Sequence, residues 1–93
     1  MAVGIRIKLA GVTEKQFDAA HDHINPDRTP PKGLVFHVSG PVDGGWGITD
    51  VWESREDFDA FSVRIGEGAA AAGVEMQGPP DIEEFPVHEM ITR

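Results

Sequence analysis

The stretch GLVFHVSGPVDGGWGITDVW, residues 33–52, decides the fold. Leu34-Val35-Phe36-His37-Val38 is a β-branched and aromatic run, and it predicts a strand. Trp46 to Trp52 predicts a second. Gly40, Pro41, Asp43, Gly44 and Gly45 lie between them and supply the turn, so the two runs form a hairpin. Strict alternation puts Leu34, Phe36 and Val38 on one face and Val35 on the other. Trp46, Ile48, Asp50 and Trp52 share a face, opposite Val51. Neither strand has a fully polar side.

The flanking sequence extends this hairpin into a sheet. Val3, Ile5, Ile7 and Leu9 alternate with Gly4, Arg6 and Lys8, which predicts a first strand with one apolar face. Gly11 ends it. Thr13 with Gln16 has capping-box spacing, and Phe17, Ala20, His21 and Ile24 fall on one side of the helix that follows. Asn25-Pro26 stops that helix, because proline disfavours helical geometry in the residue before it. The segment from Asn25 to Gly33 holds three prolines and predicts a stiff loop. Ser54 with Asp57 opens a second helix striped by Phe58, Phe61 and Ile65. Gly66, Gly68 and Gly73 weaken its far end, while Ala69 to Ala72 favour its continuation. Gly78-Pro79-Pro80 breaks the chain direction. Glu84 to Thr92 predicts a last strand, with Pro86 confining it to a sheet edge.

The order is β-α-β-β-α-β within one domain, 1–93, of the α+β class. Two helices cover only one face of a four-stranded antiparallel sheet. The other face would then expose apolar residues, which monomers seldom do on a large scale. A homodimer is therefore expected.

Composition narrows the partners. The 93 residues carry a formal net charge of −8, with 16 Asp and Glu against 8 Lys and Arg. No basic run exists to displace counterions from phosphates, so nucleic acid and anionic membranes are disfavoured. The absence of cysteine excludes disulfides and thiolate chemistry. The N-terminal residues lack the pattern of a signal peptide, and no apolar run approaches a membrane span, so a cytoplasmic protein is expected.

Gly33 to Val38, the glycine-rich turn, Asp50-Val51-Trp52-Glu53-Ser54-Arg55-Glu56-Asp57-Phe58 and Phe85-Pro86-Val87-His88 together resemble the dimeric α+β barrel superfamily. More narrowly they resemble small actinobacterial proteins related to antibiotic-biosynthesis monooxygenases. The resemblance implies a ferredoxin-like subunit that pairs across a two-fold axis into a barrel. It implies a small-molecule site in each subunit, within the barrel or between sheet and helices. Enzymes of this superfamily include cofactor-free oxygenases, cyclases and haem-degrading proteins. The single Asn, Asn25, sits in a loop before proline, and there is no Tyr. Neither the haem-degrading pattern nor a common cyclase partner is matched.

The candidate chemistry rests on histidines and one carboxylate. His37 lies in an apolar strand, and His88 lies in the expected last strand. Imidazoles titrate near neutrality and serve as general bases. Asp50 lies on an apolar face, where a carboxylate needs a partner: Arg6, Lys8 or a histidine. His37, Asp50 and His88 are thus the expected catalytic residues. Arg6, Phe36 and Trp52 are the expected substrate-binding ones: Arg6 for an enolate or carboxylate, Trp52 for stacking on a planar ring. Trp46 is a further stacking candidate. His21 and His23 stand two apart on a helix and do not share a face, so no metal site is expected. Two functions fit. One is a cofactor-free monooxygenase-like or cyclase-like enzyme acting on a small aromatic or polyketide-like substrate. The other is a non-catalytic ligand-binding or assembly domain, with haem as a lesser possibility.

Overall fold

The computed structural model describes residues 2–75 and 77–93; Met1, the head of the N-terminal stretch, lies outside them. The elements are β1 (Val3–Ala10), α1 (Glu14–Ile24), β2 (Leu34–Val42), β3 (Gly45–Trp52), α2 (Arg55–Ala71) and β4 (Asp81–Pro86). The sheet runs β2-β3-β1-β4, with every neighbouring pair antiparallel. This is the expected ferredoxin-like arrangement. No helix among the described residues is long and apolar enough to cross a membrane.

Both helices start where their side chains cap them. Thr13 Oγ1 accepts the Gln16 amide N–H at 3.2 Å, and the Gln16 side chain accepts the Thr13 N–H at 3.0 Å. Two amides that a helix start leaves unpaired are satisfied reciprocally. Ser54 Oγ accepts the Asp57 amide at 3.1 Å and begins α2 in the same way. The glycines of α2 do not end it early. Gly68 is where α1 comes closest: a Cβ there would stand 2.7 Å from the Ala20 carbonyl oxygen. The missing side chain is what lets the two helices approach.

Three expectations about the strands are corrected. The hairpin turn is shorter than Gly40 to Gly45: β2 continues to Val42, and Asp43-Gly44 alone makes the turn. Gly44 has φ 78, a conformation glycine adopts without steric cost. Pro41 stays within β2 because β2 is an edge strand, where its missing N–H leaves no ladder bond unmade.

The last strand is Asp81–Pro86 instead of Glu84 to Thr92. Its register against β1 sets the limit. Pro86 faces Val3, the first residue of β1, and one further bond joins the Val87 N–H to the Ala2 carbonyl.

The third correction concerns which way β2 faces. Leu34 pairs with Trp52, but Phe36 pairs with Val51 and His37 with Asp50. Val35 is the extra residue of a β-bulge. After it, every side chain of β2 changes face. Leu34 still faces the helices, but Phe36 and Val38 face away and His37 faces in.

The helix-covered face holds the core in two clusters. Ile5, Trp52 and Phe58 form one, flanked by Val3, Ile7, Leu34 and Phe61. Val12, Phe17 and Trp46 form the other, flanked by Leu9 and Ile48. Ile5 and Trp52 are fully buried. The opposite face of the sheet is uncovered in the single chain. Phe36, Val38, Val42 and Phe85 are each between 42% and 50% exposed there.

Candidate functional site

The bulge at Val35 brings His37 directly opposite Asp50 on the face that meets the helices. His37 Nδ1 and Asp50 Oδ1 are 2.6 Å apart. The second carboxylate oxygen accepts the Trp52 indole N–H at 3.1 Å. Asp50 is 5% exposed, so its charge is affordable only because both oxygens are engaged. A carboxylate has no proton to give, so the imidazole Nδ1 carries the hydrogen and donates it. When the ring is neutral, its lone pair is on Nε2. One third of the His37 side chain is exposed while Asp50 is sealed beneath it. This is an imidazole base whose tautomer and orientation are set from behind.

The remaining members of the expected site fall elsewhere. Trp52 has no face free for a ligand: it is fully buried, edge-on to Phe58 at 5.9 Å and against Phe61 at 5.6 Å. Its part here is to anchor Asp50. Arg6 and Phe36 lie on the opposite face of the sheet from His37. Arg6 donates to Glu83 and sits 5.9 Å from the Phe85 ring centre. The sheet itself separates it from the dyad, so it cannot hold an anion formed at His37. His88 follows β4 in an exposed segment, because the strand ends at Pro86. The six expected residues are therefore split. His37, Asp50 and Trp52 come together, while Arg6, Phe36 and His88 do not join them.

The structure adds residues to the dyad's side. Phe17 of α1 lies with its ring nearly parallel to His37, centres 6.4 Å apart. Phe17 also contacts His21 at 4.2 Å and Trp46 at 5.2 Å. His21 is 9% exposed, and its Nδ1 lies 3.1 Å from the Phe17 carbonyl oxygen. Burial lowers its pKa from the usual histidine value; nearby Arg28 and His37 act in the same direction. The Trp46 Nε1–H is buried and has no partner among the described residues. Helical spacing from Phe17 was the sequence signal for His21, since residues four apart share a face. Its meeting with His37 required the bulge, which no local pattern announced.

Two clefts lie away from this group. A groove of about 710 Å³ runs along the uncovered face, lined in part by Arg6, Lys8, Val38, Val42, Asp81 and Glu83. A smaller cleft of about 240 Å³ lies at the end of α1, between the loop after it, Phe61 and Arg64.

No protein-family model and no curated protein matches the chain. Solved structures do. Rv0793 from Mycobacterium tuberculosis superimposes with a TM-score of 0.66 at 16% identity, over 99% of this chain and 100% of that one. A candidate antibiotic biosynthesis monooxygenase from Chloroflexus aurantiacus gives 0.62 at 19% identity, over 97% of both chains. SnoaB from Streptomyces nogalater, a cofactor-independent oxygenase, gives 0.59 at 13% identity, over 99% and 97%. The chain thus has the fold of these antibiotic-biosynthesis-monooxygenase-like structures. Fold alone does not assign a reaction.

Proposed function

We propose that this protein is a homodimeric small-molecule enzyme of the oxygenase-like or cyclase-like type, with His37 as its general base. The observation that carries the proposal is the 2.6 Å contact from His37 to a buried, doubly engaged Asp50. An acidic phenol or a carbon acid beside an aromatic ring would give its proton to His37 Nε2. Asp50 would stabilise the resulting imidazolium. In the oxygenase case the carbanion reduces dioxygen: a ring CH2 becomes C=O, one oxygen atom enters the product and the other leaves as water. In the cyclase case the carbanion attacks a carbonyl of the same molecule. Phe17, parallel to His37 and buried in the core, keeps the helix side of the imidazole apolar. The dimer would form through the uncovered sheet face, whose apolar residues make a patch larger than scattered surface hydrophobes do.

The test is oxygen uptake with a panel of hydroquinones and anthrone-type substrates. Wild-type protein should consume oxygen, and His37→Ala should lose the uptake by about 10²–10⁴-fold. Undiminished uptake in the variant removes His37 from the role. A second reading, a ligand-binding domain without turnover, is favoured by one observation: neither of these two clefts is lined by His37 or Asp50. It predicts that an aromatic ligand raises Tm equally in the wild type and in His37→Ala.

A further inference from the structure

Two imidazoles, one from α1 and one from β2, stand over the same aromatic ring. His21 and His37 have their ring centres 6.4 Å apart, with planes inclined by 41°. Phe17 contacts the first at 4.2 Å and lies parallel to the second. The His21 Nδ1 meets a backbone carbonyl, which can only accept, so that nitrogen carries the hydrogen. Burial disfavours a second proton on the ring. The lone pair of His21 is therefore on Nε2, as it is in His37. Neither Nε2 has a protein donor among the described residues. When both rings are neutral, the two imidazoles, each anchored through Nδ1, present their Nε2 atoms as a pair of acceptors.

We infer that His21 is a ligand-binding residue of this site, and that the ligand carries two hydroxyl donors on one aromatic ring, as in a 1,3-dihydroxyaryl compound. The inference deepens the proposal for His37 and rests on it. One hydroxyl donates to His37 Nε2, where proton removal takes place, and the second donates to His21 Nε2. Each hydrogen bond spans about 2.8 Å. Hydroxyls separated by one ring carbon spread more widely than adjacent ones, which suits acceptors held on two different elements. A phenol with one hydroxyl would leave one imidazole acceptor desolvated and unpaired, a loss that buried polar sites discriminate strongly. His21 thereby selects the substrate, and His37 acts on it.

The experiment is calorimetric titration of the full chain with 1,3-dihydroxynaphthalene and with 1-naphthol, in wild type and in His21→Asn. Asparagine keeps a short N–H near the Phe17 carbonyl and deletes the distal acceptor. Wild type should bind the diol about tenfold more tightly, the equivalent of one hydrogen bond. His21→Asn should bind the two probes alike. A wild type that binds the two equally, or binds neither, overturns the inference. So does a variant that weakens both probes in the same proportion, since that marks a packing role. Where His21→Asn melts below the assay temperature, His21→Leu is scored by the same ratio. Failure of the His37 proposal is read separately, as oxygen uptake that survives His37→Ala while the diol preference stands.

Discussion

Replacing Asp50 by Asn should reverse the tautomer of His37 while leaving the fold largely intact. Asparagine has one acceptor oxygen and one donor amide in place of two acceptor oxygens. The buried Trp52 N–H, 3.1 Å from the carboxylate, has the stronger claim on the acceptor, because orphaning it inside the core costs about 1–3 kcal/mol. The amide donor then faces His37 Nδ1. A donor cannot meet a donor, so Nδ1 gives up its hydrogen and Nε2 takes it. The lone pair disappears from the solvent-facing nitrogen. The stability loss is small. A hydrogen bond to a charged group contributes about 1.5–3 kcal/mol, but His37 is one third exposed and solvent screens the pair, leaving about 1 kcal/mol. In a domain of this size that lowers Tm by about 4–8 °C. Asp50→Ala should cost about 1–3 kcal/mol more, because it strands the indole as well. Long-range proton–nitrogen correlation spectra of the imidazoles report the tautomer directly and require no substrate. The corresponding Asp-to-Asn change in a serine-protease triad lowers kcat by about 10⁴ through the same inversion. Turnover here should fall by a comparable factor. If His37 keeps its hydrogen on the same nitrogen in wild type and variant, Asp50 does not orient it and the reasoning fails.

Three further outcomes can be checked. Trp52→Phe removes a fully buried ring and the donor to Asp50, for about 2–4 kcal/mol, whereas Trp46→Phe deletes an N–H with no partner among the described residues. Urea unfolding should show Trp46→Phe to be milder by at least about 1 kcal/mol, and equal losses would contradict the hydrogen-bond assignments. The lowered proton affinity of folded His21 means that the unfolded chain takes up the proton first as pH falls below about 6.5. Stability present above that pH is lost progressively below it, and Tm of His21→Asn should fall less steeply than that of wild type between pH 6.5 and 5.5. Finally, Val38→Glu puts a charge on the uncovered sheet face. Light scattering should find a wild-type dimer and a monomeric variant, and a wild type monomeric at micromolar concentration would refute the pairing of sheets.

The element order was legible because its signals are local. Thr13 with Gln16 and Ser54 with Asp57 mark the helix starts, and the alternation from Val3 to Leu9 marks β1. That Asp50 needs a partner was legible too, since a carboxylate among Ile48 and Trp52 has to be paired, but the choice among Arg6, Lys8 and a histidine was made by the strand register that sets His37 opposite it. What could not be read depends on pairing between strands. The end of β4 at Pro86 follows from where β1 begins, and the splitting of Arg6 and Phe36 from His37 follows from the register of β2 on β3. His21 was visible as part of the helix's inner stripe, but its meeting with His37 depends on two elements whose relative placement no local pattern carries.

The additional residue at Val35 has an implication for how this chemistry is acquired or lost. Pairing β2 with β3 without the bulge, with Val35 taken into the ladder, would restore simple alternation in β2. Phe36 and Val38 would then turn beneath α1, and the imidazole would emerge among the residues offered to a second subunit. The strand would keep its hydrogen-bonding ladder, and the element order would be unchanged. Two proteins of the same architecture can therefore differ in whether they hold a poised base at all, through a one-residue change of strand register too small for overall shape to reveal.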